Sequence, residues 1–325
     1  MGSFLLTPRM PPALVARIKV SLAGKRRAGT RRTFVPRISG AAMIPITAIL
    51  VAVALMLMSR FMTHRELEQA RGELLQRITA ERATLPPQAA GFLPSAQAWV
   101  VRMAGAWEGD LVSDELRKPG ALQARLSHPA LFLRGDLHKL TKPDQLMDAA
   151  VASVKDAVLL CLSDPPESRE EKAVLQKIRG ANFAAALPSV HRYYDAEAGL
   201  RLLQPWWEAE VRAAKELKLV QNLRAEWMRA PIEDGKHAAL AELLLVVVNE
   251  PPELEPNAEK GDGRRPEERP HAIRMGIVDL RAQTVLLRLR KNVDPSAYAP
   301  AMRAAHARAI TGCQFAMEVR DAVRP

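Results

Sequence analysis

Acidic side chains are missing from the first 40 residues of this chain, and charge of either sign is missing from the next nineteen. Aromatic residues make up only 5 % of the 325 residues, so a core must be built from Leu, Val, Ile and Ala. Cysteine occurs twice, at Cys161 and Cys313, which excludes a disulfide-dense scaffold and a C-x-x-C centre. The familiar chemical signatures are absent too. There is no G-x-x-x-x-G-K-S/T, no G-x-S-x-G, no H-E-x-x-H and no G-x-G-x-x-G. None of the seven histidines stands four residues from another. His128 and His138 flank a short apolar run without a third ligand at metal spacing. These gaps leave no assignable catalytic residue, metal site or cofactor.

The net charge of +11 invites a nucleic-acid reading, which its distribution removes. Nine cations, from Arg9 to Arg37, lie in residues 1–40, and residues 60–325 hold 38 basic against 36 acidic side chains. A basic footprint confined to a tail beside an apolar run orients a membrane segment, and no nucleic-acid partner is expected.

That apolar run, 41–59, is AAMIPITAILVAVALMLMS. As a helix it rises about 28 Å at 1.5 Å per residue, enough to cross a hydrocarbon core. Pro45 falls in its first turn, where a missing N–H costs little. Thr30-Arg31-Arg32-Thr33-Phe34 resembles twin-arginine export grammar. The run is nonetheless longer than the apolar region of a signal peptide, and bulky, basic residues follow it in place of an A-x-A site. The expectation is a retained signal anchor. Its cytoplasmic tail is 1–40, and the rest lies outside the cytoplasm of a bacterial inner membrane.

Residues 60–83 read as a helical stalk, with Leu67, Ala70, Leu74 and Ile78 on one stripe and a homodimer through that stripe as one use. Residues 84–95, rich in proline, read as a linker to a domain at 96–325. Short apolar runs at 130–133, 157–162 and 243–248 read as strands, and 273–280 with 285–291 as a hairpin with one wet face. Capping signals at Thr141 and Ser168 open helices, a long helix covers about 195–229, and the last starts from Asp294-Pro295. The Pro-rich, charged stretch 250–270 reads as a disordered loop. The expected fold class is therefore one transmembrane helix followed by an α/β or α+β domain, a mixed sheet of four or five strands covered by helices.

Two features suggest sites. Cys161 and Cys313 are candidates for a disulfide tying the last helix to the sheet. Leu162-Ser-Asp-Pro-Pro-Glu167 echoes Val248-Asn-Glu-Pro-Pro-Glu253, each after an apolar run. If both runs were neighbouring strands, Asp164 and Glu250 would converge at one sheet edge, with Glu167 and Glu253 beyond. Such carboxylates could hold a cation or work as acid and base, as in an anchored hydrolase. The reading preferred from sequence is non-catalytic: a bilayer-anchored domain that binds a protein partner in envelope assembly or transport.

Overall fold

The computed structural model describes residues 40–89, 91–153, 156–180, 187–252 and 265–324. The expected tail at 1–39, and Glu253, lie outside the described residues. The chain divides after Phe61 into two compact units. Helix α1 (Gly40–Ala83) runs through that division. From Ala48 it is long and apolar enough to cross a membrane, and side chains such as Ile49, Leu50, Leu55 and Met58 are exposed.

The second unit, 62–325, is a six-stranded mixed sheet between two helical layers. In chain order its elements are α2 (Phe92–Ala104), β1 (Leu111–Val112), α3 (Ala121–Leu126), β2 (Ala130–Asp136), α4 (Leu137–Leu140), α5 (Leu146–Ala152), α6 (Ala157–Ser163), α7 (Glu171–Arg179) and β3 (Val190–Arg192). There follow α8 (Tyr193–Arg201), α9 (Pro205–Ala213), α10 (Leu217–Arg229), α11 (Ile232–Ala238), β4 (Leu243–Asn249), β5 (His271–Asp279), β6 (Thr284–Val293) and α12 (Pro300–Ala322). The strand order is β1-β6-β5-β4-β2-β3. β4 runs parallel to β2, β2 parallel to β3, and β4-β5-β6-β1 are antiparallel neighbours.

Six apolar residues in a row make β4 a strand buried on both faces, and the pleat divides them. Leu244, Val246 and Val248 face one core with Leu131 and Leu133, under α2, α5, α8, α10 and the second half of α1. Leu243, Leu245 and Val247 face the other with Phe132, Ile273, Met275 and Ile277, under α6, α7 and α12.

Several expectations change. The sheet has six strands, because β1 and β3 are two- and three-residue edges too short to read from sequence. Residues 157–162 are helix, not strand. Asp156 caps α6 by accepting a hydrogen bond from the Val158 amide at 2.8 Å, and a short apolar run suits a buried helix as well as a strand. The stretch 195–229 breaks into α8, α9 and α10, with Pro205 starting the second. Residues 60–83 are no free stalk. Leu67, Leu74 and Ile78 are buried in this unit's own core, and Arg82 bonds the Leu203 carbonyl at 2.9 Å and Glu208 at 2.5 Å. The expected linker 84–95 likewise contains buried Phe92 and Leu93, which begin α2. The part of loop 250–270 at 266–268 is a 3-10 turn. Asp294 caps a separate 3-10 turn, and α12 starts five residues after the expected position.

Cys161 and Cys313, both fully buried, form a disulfide with a Cα–Cα distance of 5.2 Å, joining α6 to α12. The same helix pair meets closely at Gly312, where an added Cβ would lie 2.5 Å from Arg134 Nη1 and 3.1 Å from Val158 Cγ2. Gly72, exposed on α1, has nothing within 4 Å of its Cβ position. Gly312→Ala should therefore destabilise the protein by about 1–3 kcal/mol through overpacking. Gly72→Ala should stabilise it by up to about 1 kcal/mol. Denaturant melts of both variants check the pair; equal effects would contradict the packing described.

Candidate functional site

Side chains alternate along a strand, so one sheet face can be read by taking every second residue. On the face beneath α6, α7 and α12 those residues are apolar: Ala130 and Phe132 on β2, Leu243, Leu245 and Val247 on β4, Ile273, Met275 and Ile277 on β5. At one edge the same series turns polar across three adjacent strands. Arg134 and Asp136 end β2, Asn249 ends β4, and His271 begins β5. Asp136 pairs in register with Asn249, which in turn lies opposite Ile273.

This is the carboxyl edge of the parallel strands β2 and β4. From β2 the chain goes on to β3, on the far side of β2 from β4, and from β4 it goes on to β5 on the opposite side. At this edge α12 packs directly on the strand ends, with the Arg308 carbonyl and Gly312 against Arg134.

Arg134 lies at this edge with no exposed surface. Its Nε donates to Asn249 Oδ1 at 3.1 Å, and its Nη1 donates to Asp156 Oδ1 and to the Arg308 carbonyl, each at 3.1 Å. Its backbone amide donates to Ser153 Oγ at 2.8 Å. Asp156, also buried, splits its oxygens: Oδ1 serves Arg134 and caps α6, while Oδ2 accepts no hydrogen bond. Arg308 Nη2 stands 3.9 Å from that Oδ2. Arg134 Nη2 likewise lacks a partner. His271 Nδ1 lies 2.8 Å from the Arg269 carbonyl, which assigns the proton to Nδ1 and leaves Nε2 as a buried, unpartnered acceptor.

Burial pushes His271 below the ordinary histidine range, and the Arg134 charge adds to this; the Arg269 carbonyl, Glu267 and Asp136 oppose it. His271 is therefore neutral near pH 7. Burial also lowers the Arg134 pKa against the opposing pull of Asp156, yet a guanidinium remains charged throughout the physiological range. Removing two charges from water costs several kcal/mol per ion, and an incompletely satisfied pair recovers only part of that.

The carboxylates singled out from sequence do not assemble into one site. Glu250 follows β4 but is a structural strap, accepting from Arg290 Nε at 2.8 Å and Nη2 at 2.7 Å and from Arg274 Nε. Arg274 in turn donates to the Gly105 carbonyl at 2.7 Å and stacks over Trp107. Asp164 ends helix α6, mostly exposed, and pairs with Lys177. Glu167 is exposed in the loop after it. The echo between the two Pro-Pro segments thus follows a helix once and a strand once. Among the described residues no group of three or more His, Cys, Asp or Glu has metal-holding geometry. At the opposite edge of β4 a groove of about 670 Å³ is lined by Phe92, Ser95, Leu240, Leu280 and Gln283; its lining residues leave no buried polar side-chain atom unpartnered.

Sequence reading passed over Arg134, Asp156, Asn249 and His271. One signal was present: a charge at the end of Ala-Leu-Phe-Leu-Arg, whose preceding period-2 neighbours, Ala130 and Phe132, are apolar. No known protein family, curated protein or solved structure matches this chain. The described structure is that of a mixed α/β sheet unit preceded by an apolar helix.

Hydrogen bonds from Arg290, joined by Arg274, hold the Glu250 carboxyl below its ordinary value of 4.5 in spite of partial burial. The stabilisation from this lowered pKa is complete above the ordinary value and fades as pH falls through the depressed one. Glu250→Gln should therefore lower stability at neutral pH and flatten the acid limb of the stability profile. Chemical denaturation from pH 7 down to about pH 3 checks this; an unchanged acid limb would refute the strap.

Proposed function

We propose that this chain is a single-pass, membrane-anchored protein that presents a non-catalytic α/β binding domain outside the cytoplasm, in a bacterial envelope. The observation that carries the proposal is the disulfide Cys161–Cys313 in a unit that follows an apolar, exposed helical run. Disulfides form and persist in oxidising compartments such as the periplasm. The nine cations ahead of the run favour an N-terminus held inside, since moving them across an energised membrane is costly.

The neutralised carboxylates favour binding over hydrolysis. Two guanidiniums hold Glu250 ionised, the opposite of the raised pKa a general acid needs, and Asp164 is exposed and ion-paired with Lys177. On this reading the domain serves a protein partner in envelope assembly or transport.

Membranes from expressing cells test the proposal in one sample. The expected results are resistance to carbonate extraction and an active export-dependent reporter fused at the C-terminus. Thiols should stay unreactive until the protein is denatured and reduced, and the N-terminus should lie upstream of residue 41. A soluble product beginning after Met62, or native thiols that alkylate freely, would overturn it.

A further inference from the structure

The end of α12 and the loop that leads into α3 line a pocket of about 140 Å³. Its floor is apolar, formed by Leu116, Leu122 and Val323, which are anchored in the core beneath α12. Among the described residues that line it, every charged one is a cation: Lys118, Arg320 and Arg324. Residues 60–325 hold 38 basic against 36 acidic side chains, so this lining is a local segregation of charge and not a share of a general excess.

The nearest carboxylates are engaged elsewhere. Glu115 accepts from Arg125 Nε at 2.5 Å, and Asp321 bonds Arg169 and stands 3.1 Å from Arg324. Among the described residues no carboxylate comes within 4.0 Å of Lys118 or Arg320. A Pro-Gly turn carries Lys118. The Ala121 amide donates to the Lys118 carbonyl at 3.0 Å, and Gly120 has φ 76° and ψ −5°, the geometry of the third residue of a type II turn. Arg320 is held by donating from Nη1 to the Leu162 carbonyl at 2.6 Å, at the end of α6. A helix dipole favours cations in the last turn, which accounts for Arg320 and Arg324. It does not account for Lys118, which another segment brings to the same pocket.

Size and charge select the ligand. A pocket of about 140 Å³ is well below the ~300–1,000 Å³ of sites for drug-sized molecules, so it suits one small group. Guanidinium forks match oxyanions, and three positive charges suit a group with about two negative ones, as a phosphate carries near neutral pH. A second pocket, of about 200 Å³, shares Arg320 and Arg324 but is also lined by Glu167 and Asp321, which removes the preference there.

We propose that the smaller pocket binds a phosphate group through Lys118, Arg320 and Arg324. Free phosphate and a small phosphate ester share the chemistry it recognises. The site goes beyond the binding reading above and stands independently of the membrane anchor.

The test uses the full chain in detergent micelles at constant ionic strength, titrated calorimetrically with inorganic phosphate, with glycerol phosphate and, as the singly charged control, with acetate. Phosphate should bind and acetate should not at the same concentrations. Tighter binding of glycerol phosphate than of phosphate would support the site and assign it to an ester; equal or weaker binding would support it for the free ion. Lys118→Gln and Arg324→Gln should each weaken phosphate binding by about tenfold, the effect of one charge-assisted hydrogen bond lost. Lys215→Gln, the same charge change between α9 and α10, should leave binding unchanged. Arg320 is spared because it also bonds the Leu162 carbonyl. Phosphate binding that Lys215→Gln weakens equally, or that neither pocket variant weakens, would overturn the site. So would the absence of phosphate binding to folded protein, whatever the outcome of the membrane experiment, and acetate binding as tightly as phosphate would overturn the ligand class.

Discussion

A guanidinium with no exposed surface sits between the sheet and its helical cover, and four pieces of chain meet on it. Arg134 belongs to β2. It holds Asn249 of β4, the Asp156 cap of α6, and the carbonyl of Arg308 in α12. A buried charge is tolerated only when paired and hydrogen-bonded, so these groups must arrive together or the site is costly. That requirement fixes which residues surround it. Gly312 has no Cβ because one would collide with Nη1, and Ser153 offers its hydroxyl to the Arg134 amide. The covalent link between α6 and α12 reinforces the same junction five residues along α6 and one residue along α12.

The rest of the unit is arranged around an apolar face that this junction terminates. Along β2, β4 and β5 the face is a continuous hydrocarbon surface beneath α6, α7 and α12, and it becomes polar only at the carboxyl edge. Parallel pairing of β2 with β4 aligns those ends, and α12 packs over them through the Arg308 carbonyl and Gly312. The opposite sheet face also turns polar at this edge, where Arg274, in register with Val248, pairs with Glu250. Its cover includes the second half of α1, so the helix that begins as an exposed apolar run ends as a wall of the core.

What was legible in the sequence divides by physical cause. The six apolar residues of β4 announce a strand buried on both faces, and the turn Arg281-Ala-Gln-Thr284 announces a hairpin, because both signals are local. The run 157–162 was not decidable, since six apolar residues fit a buried helix as readily as a strand. Its cap, Asp156, is the residue that settles the matter. The stripe of Leu67, Leu74 and Ile78 was visible, but what covers it was not; residues 203–236 supply that cover from more than 100 positions away. The site failed for the same reason. Glu250 looked available until Arg274 and Arg290 closed on it, while Arg134, Asp156, Asn249 and His271 come from distant segments that only the sheet register brings together.

The dependence of the fold on one buried ion pair is open to a double-mutant cycle of Arg134→Met and Asp156→Asn, read by denaturant unfolding. Asparagine keeps the cap on α6, so the cycle isolates the charge pair. Arg134→Met alone leaves Asp156 buried without its cation and should cost about 3–5 kcal/mol, with the double variant losing clearly less than the sum of the two singles. Strictly additive losses, or an Arg134→Met variant as stable as the parent, would contradict the account.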